Sequence, residues 1–534
     1  MRTRRAAWAT TIVLVVAAVV VAALVLTFAV QRVSSSSHLV LENPTLIFSD
    51  PGAVSFAVSG ASASVTWSVA DEGGHEVVSG TAEPDDGSLT IDVAQRVPTG
   101  YYTVTLSSPS DGDVTAAFGV TGPAPADDRY YSVQTLSAHP NSVYSVNMDR
   151  LIPMLKGLGF SSRRDSVYWS QFELSAGEYS TPPSIQRTLD EDDQNDMSLV
   201  WTAGSGNPLY DGGRLPSSPE AIRAYAKYID AFLTAHPHVT TVEMLNEFNG
   251  TNNSACGATA ACYLDIAKVV YPFVKSRHPD VVIVAGGLAG VSLDWWRDFF
   301  SAGGVAYGDA FSYHPYGLTP QRLGEVADEI TRLIKKNNRG VGKPLYMTEV
   351  GWSISTEQKG NPAKVGTEEQ QADRLVYSFI APQASPQIAL VNWYQALDYG
   401  PTETEYNFGL FRQATDNVKG FQPKKAAVAF YVLRSQLDGF HYVRTDTLAG
   451  DVQSYVFSND KGVTTRVMWR TTRSSADTST TSVTLPATGK AYLTVTSVDG
   501  ARLAAVTGTA ASSTQEVSTS PIFVTTSDSP PPAR

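Results

Sequence analysis

The chain has 534 residues, 43% hydrophobic and 17% charged, with a formal net charge of −12 and a pI of about 5.2. That is length for about three or four domains of roughly 100–200 residues, with apolar mass for sizeable cores. An acidic chain without long Lys/Arg clusters excludes nucleic acid as a partner and repels anionic lipid, so any membrane contact has to be hydrophobic.

The N-terminus offers such a contact. Residues 1–7 include Arg2, Arg4 and Arg5, and residues 8–30 (WATTIVLVVAAVVVAALVLTFAV) carry no charge. The run is long enough for a helix crossing ~30 Å of hydrocarbon, and the arginines before it favour a cytoplasmic N-terminus. A secretory signal has a shorter apolar region, about 7–15 residues, and a small-residue cleavage site. We read residues 8–30 as a transmembrane anchor; a cleaved segment and a secreted product form the alternative. Both readings put the chain from about residue 32 onward outside the cytoplasm, and the first makes it a single-pass protein of the cell membrane. Residues 31–37 are a polar linker.

Residues 38–122 read as a small all-β domain. VSFAV, SVTWSVAD, LTIDV, YYTVTLSS and TAAFGV alternate apolar and polar positions, separated by turn clusters such as PDDGS and PSDGD. The pattern suits an immunoglobulin-like β-sandwich without the antibody-type cysteine pair. GPAPADD, within residues 122–129, is a linker.

From 130 to 439 the period changes. Eight short β-rich runs, YYSVQTL, FSSRRDS, SLVWTAG, TTVEMLNE, VVIVAGG, AFSYHPY, LYMTEV and ALVNWYQ, alternate with amphipathic stretches such as 218–237, 319–338, 366–380 and 424–439. Eight strands each followed by a helix predict a (β/α)₈ barrel, fold class α/β. A doubly wound open sheet is the rival, and no GxGxxG opens a helix here. Residues 440–526 return to short alternating strands and predict a C-terminal β-sandwich; 527–534 is a loose tail.

Cys256 and Cys262 are the two cysteines. Outside the cytoplasm they pair as a disulfide closing one loop; otherwise they are two small core residues. With no nearby histidine they are not a zinc site.

Catalytic groups of such a barrel sit at the C-terminal ends of its strands. That rule selects Arg164 and Asp165 on the second strand, and Asn246 and Glu247 on the fourth. It selects His314 and Tyr316 on the sixth, Glu349 on the seventh, and Trp393 and Tyr394 on the eighth. Two carboxylates across one mouth are what glycoside hydrolysis requires, one protonated to serve the leaving oxygen and one ionised to attack. Arg164 beside Glu349 would keep Glu349 charged. Asn246 is placed to hold a sugar hydroxyl, and Trp393 to stack on a sugar ring. His139, Trp352 and Trp201 are further candidates for the cleft, each with core packing or a rim position as the plain reading. Trp295 and Trp296 read as core or interface, and Glu243, inside the fourth strand, as structural. Asp398, Glu403 and Glu405 read as solvated loop acids or as contacts to a longer glycan, with Asp398 the next catalytic candidate should Glu247 and Glu349 lie too far apart.

These residues together resemble the large clan of (β/α)₈ retaining glycoside hydrolases whose catalytic glutamates follow strands four and seven. Asn246-Glu247 matches the clan's Asn-Glu signature, which makes Glu247 the acid/base, and Glu349 in LYMTEVGWS matches its nucleophile. GFSSRRDSVYWSQFE places Arg164 as the arginine beneath the nucleophile. SYHPY resembles the sixth-strand His-x-Tyr, hence His314 and Tyr316, and Trp393 matches the strand-eight tryptophan. NEFN is closest to the NExN of glycoside hydrolase family 39, with Phe248 where that family usually has Pro. The resemblance implies a retaining glycosidase without metal or organic cofactor, and the N-terminal apolar segment makes it membrane-anchored and extracytoplasmic, acting on a cell-surface or exported polysaccharide or oligosaccharide. A transglycosylase with the same site, and a catalytically silent barrel that binds glycan, are the alternatives.

Overall fold

A computed structural model describes residues 38–139, 147–250, 254, 256–355, 363–399, 407–471, 479–486, 489–507 and 512–530. Residues 8–30 and the whole linker 31–37 lie outside that set, so the anchor is not among the elements seen. Among the described residues no helix is long and apolar enough to cross a membrane.

The centre is a closed parallel barrel of β1 (Tyr131–Gln134), β2 (Ser162–Ser166), β3 (Ser198–Ala203), β4 (Thr241–Met244), β5 (Val282–Ala289), β6 (Ala310–His314), β7 (Leu345–Val350) and β8 (Ile388–Trp393). Every one of the eight runs read from the sequence forms its strand. Closure comes from β8 pairing in parallel with β1, Val391 opposite Tyr131. Around it lie α1 (Met148–Leu158), α2 (Pro183–Gln194), α3 (Pro219–Ala235), α4 (Ala260–Lys275), α5 (Leu293–Ser301), α6 (Pro320–Asn337), α7 (Glu368–Ile380) and α8 (Lys425–Gln436). Local chemistry starts the helices where the pattern predicts. Ser218 caps α3 by accepting from the Ala221 amide, and Thr319 caps α6 by accepting from Arg322, each followed by proline at the first helical position.

β2 is the polar strand, SRRDS, and is nonetheless buried. Its charges are sorted by alternation. Arg163 meets the helical layer, where Asp192 of α2 accepts from Nε at 2.7 Å, and it also reaches Asp165 at 2.9 Å. Arg164, on the other face, enters the barrel. Asp165 is thereby held in a structural network with Thr135 and Ser137 and stays away from the mouth.

Both flanking β units are present. The N-terminal one has a three-stranded sheet (strands at 40–41, 55–59 and 88–92) against a five-stranded sheet (47–48, 112–120, 100–108, 65–71 and 76–82). The C-terminal one has a six-stranded sheet and a two-stranded sheet. Strands 76–82, 441–448, 502–507 and 513–517 are additions to those the alternation picked out. Both units are stitched to the barrel. The Leu41 amide donates to Asn417 O at 2.9 Å, and the Lys419 amide donates back to Leu41 O at 2.9 Å, so Val418 of the loop after β8 joins the N-terminal core. Tyr431 of α8 receives the Gly122 amide at 2.7 Å. On the other side Trp469 of the C-terminal sheet packs on Tyr377 of α7, ring centroids 4.7 Å apart.

Candidate active site

Strand β4 ends abruptly. Leu245 and Glu247 both take positive φ, 63° and 48°, in the left-handed region that non-glycine residues avoid. The neighbouring β5 makes room with a bulge at Gly286 and Gly287, both at positive φ. The Gly287 carbonyl accepts from the Glu247 amide at 2.6 Å, and a side chain on Gly287 would meet the Leu245 carbonyl at 2.8 Å. Asn249 then ties the loop to β5 through the Ala289 carbonyl and amide, at 2.9 and 2.8 Å. The turn swings Glu247 out of line with β4 and over the mouth.

There it meets the residues selected from the other strand ends. A cleft of about 510 Å³ is lined by Arg164, Asn246, Glu247, Tyr316 and Glu349, with Gln134, Tyr168, Tyr394 and Phe408 among its walls. Glu349, 12% exposed at its side chain, accepts from Arg164 Nη1 at 2.7 Å and from the Tyr316 hydroxyl at 2.9 Å. Two donors, one cationic, suit an ionised carboxylate. Burial first, then the Glu349 charge, pushes the Tyr316 phenol well up, so it keeps the proton it donates. Arg164 is fully engaged: besides Glu349 it serves Glu243 at 2.6 Å, Asn246 Oδ1 at 2.6 Å and Gln134 Oε1 at 2.9 Å.

Glu247 is the open member of the pair, 36% exposed, with His314 Nδ1 3.0 Å from its Oε1. His314 is buried, and its Nε2 meets no partner among the described residues. The hydrogen-bond geometry places a proton on Nδ1, donated to Glu247. In the open cleft that hydrogen bond holds the Glu247 carboxyl below its ordinary value; burial pushes the other way.

One oxygen of Glu247, one of Glu349 and a nitrogen of His314 all lie within 4.8 Å of one another. The two carboxylates are thus near the ~5–5.5 Å separation of retaining glycosidases and short of the ~6.5–9.5 Å of inverting ones. The same convergence resembles a cation site, but the donor set does not suit one. Arg164 already places a fixed positive charge against Glu349, and Tyr316 takes its other oxygen.

Several expected positions change. Trp393 is fully buried inside the barrel, so it cannot present a face to a sugar; Tyr394, the next residue, lines the cleft instead. Trp352, three residues after Glu349, turns away from the mouth and lies under the Arg374 guanidinium at 4.8 Å. Trp201 packs in the core on Phe232. His139 stands exposed at the rim, its Nδ1 3.0 Å from the Tyr399 hydroxyl and its ring edge-on to Tyr168. Asp398, read as a solvated loop acid, is buried and paired with fully buried Lys424 at 2.9 Å; Glu403 and Glu405 lie outside the described residues. Trp296 is core as expected. Cys256 and Cys262 form a disulfide, Cα atoms 5.9 Å apart. Gln134, Tyr168 and Phe408 were not selected from sequence, although Gln134 ends β1 and the strand-end rule reaches it.

No protein-family model matches the sequence, and neither does any curated protein. Solved structures do. A family 39 glycoside hydrolase from the gut symbiont Bacteroides cellulosilyticus WH2 aligns with a TM-score of 0.75 at 22% identity, covering 91% of this chain and 100% of that one. A GH39 beta-xylosidase from Caulobacter crescentus aligns at 0.52 with 15% identity, over 76% of this chain and 97% of that one. The catalytic domain of GH30 xylanase C from Talaromyces cellulolyticus aligns at 0.51 with 12% identity, over 76% and 98%. The likeness is one of fold, and in the first case it extends over more of the chain than the barrel alone occupies.

Proposed function

We propose that the chain is a retaining glycoside hydrolase. The observation that carries this is the pair Glu247 and Glu349, held within 4.8 Å at the C-terminal mouth of a closed barrel, with Arg164 and Tyr316 on Glu349 alone. In the proposed reaction Glu349 attacks the anomeric carbon while Glu247 gives its proton to the departing glycosidic oxygen, leaving a glycosyl-enzyme ester. Glu247, now a carboxylate, takes a proton from water as that water displaces Glu349, which restores both groups with the anomer retained.

Arg164 is the sole cation among the described residues lining the cleft, and four partners already hold it. That favours a neutral sugar over a uronate at the reacting position. Tyr168, Tyr394 and Phe408 offer apolar surface to its ring. With residues 8–30 as an anchor, the substrate is a polysaccharide at or leaving the cell surface.

The test is turnover of neutral aryl glycosides and polysaccharides, with the product anomer followed by NMR. A retained anomer, with kcat lowered on the order of 10³-fold or more in Glu349→Gln, supports the reading. An inverted product, or full activity in Glu349→Gln, overturns it. Glycan binding with no turnover would leave a silent binding barrel.

A further inference from the structure

One buried carboxylate is not used by the proposed chemistry. Glu243 lies in β4, one side-chain repeat below the mouth, and is 0% exposed. It is not an idle ion pair. Its Oε2 accepts from Arg164 Nε at 2.8 Å and lies 2.6 Å from Nη2; the Thr202 hydroxyl reaches the same oxygen at 3.1 Å, and Ser312 donates to Oε1 at 2.6 Å. Arg164 therefore sits between two carboxylates, Glu243 below and Glu349 above.

The charges can be counted. Glu243, Glu349 and Glu247 face one guanidinium, and His314 stands beside Glu247 and Glu349. Tyr225 and Tyr263, packed behind β4, are pushed up by burial and keep their protons, as does Tyr316. Fully ionised, the three carboxylates share one guanidinium. Glu243, with four donor contacts, is held below its ordinary value: burial raises it, and Arg164 first, then His314 and Ser312, outweigh the burial. Glu349 has Arg164 and Tyr316. Glu247 has one donor, His314, and partial exposure; that hydrogen bond first holds its carboxyl below the ordinary value, and of the charges below it Arg164 lowers it and Glu243 raises it.

We propose that Glu243 is a positioning residue for the reaction: it grips the Arg164 guanidinium from below and offsets its charge, which limits how far Arg164 draws the proton off Glu247, the acid of the proposed reaction. Without Glu243, Arg164 would act undiluted on the pair at the mouth, and Glu247 would lose its proton at lower pH. The negative charge of Glu243 and the positive charge of Arg164 act on Glu247 in those opposite senses.

This inference rests on the acid and nucleophile roles given above, and its test separates the two. The full chain, Glu243→Gln and Glu243→Asp are compared by the pH dependence of kcat/KM on a neutral aryl glycoside, with circular dichroism to check the fold. Glu243→Gln removes the charge, and the alkaline limb should move down by about half a unit to one unit, roughly a 3- to 10-fold loss on that limb. Glu243→Asp keeps the charge, and the limb should stay while kcat falls. Equal losses with unmoved limbs in both would make Glu243 merely structural and overturn the inference while leaving the nucleophile intact. Activity in Glu349→Gln would remove its basis instead. Should the Gln variant not fold, ¹³C shifts of labelled glutamate carboxyls in the unmutated chain decide the matter: Glu243 ionised from pH 5 to 8 supports it, and Glu243 protonated at pH 6 overturns it.

Discussion

Tyr316 reaches the one oxygen of Glu349 that Arg164 does not hold. A hydrogen bond to a charged group is worth about 1.5–3 kcal/mol. Tyr316→Phe should therefore lower kcat by roughly 10- to 100-fold with little change in KM, if the bond steadies the nucleophile as it departs from the glycosyl ester; steady-state kinetics on an aryl glycoside checks it. At this scale the sequence was legible where chemistry is coupled to strand ends. Arg164, Asn246, Glu247, His314, Tyr316 and Glu349 all meet at the mouth. It was not legible where a single position decides which side of the barrel wall a ring faces. Trp393 and Tyr394 are adjacent and both aromatic, and composition alone cannot say which one turns into the core. Glu243 looked structural for a related reason: its partner Arg164 lies far away in sequence, and only closure of the barrel brings them together.

At the scale of elements, most strands were readable as short apolar or β-branched runs bounded by polar turns, although β2 (SRRDS) is polar, and the helices by their amphipathic period, with Ser-Pro and Thr-Pro starts at α3 and α6. The departures at β4 and β5 were not readable, since a positive φ at Leu245 and Glu247 is imposed by neighbours and carries no sequence signal of its own. The loop after β4 is braced by Cys256–Cys262. A short closed loop limits its contribution, so Cys256→Ser with Cys262→Ser should cost no more than about 2 kcal/mol in urea unfolding. The loop after β8 depends on burial instead. Asp398→Ala would leave Lys424 charged and fully enclosed, and should cost about 3–5 kcal/mol in the same assay, while Lys424→Met with Asp398→Leu should cost far less.

For the molecule as a whole, the seam between barrel and C-terminal sandwich contains Asp373, whose carboxyl receives the Ser520 hydroxyl at 2.7 Å. Burial raises it to about 7. The folded protein thus holds a proton that the unfolded chain releases near pH 4. Its contribution is complete below that value and lost as pH rises through 7. Asp373→Asn should therefore melt higher than the parent at pH 8, with the gap closing towards pH 5, in thermal scans across that range. The other seam, where Leu41 is laced between Asn417 and Lys419, predicts that removing residues 38–122 strips Val418 and α8 of their cover and leaves insoluble protein, as judged by expression of the shortened chain.

That lacing also sets a working radius. Leu39 is fastened to Asp111 of the N-terminal unit and Leu41 to the barrel loop at Asn417, so if residues 8–30 are the proposed anchor, only residues 31–37 separate it from the body. Seven residues reach at most about 25 Å. Such an enzyme could not forage. It would serve polymer passing close over its own patch of membrane, and the rate at which polymer is delivered there, more than diffusion of the enzyme, would govern what it cuts. Lengthening the linker should widen the range of polymer it can reach without altering the chemistry at Glu349.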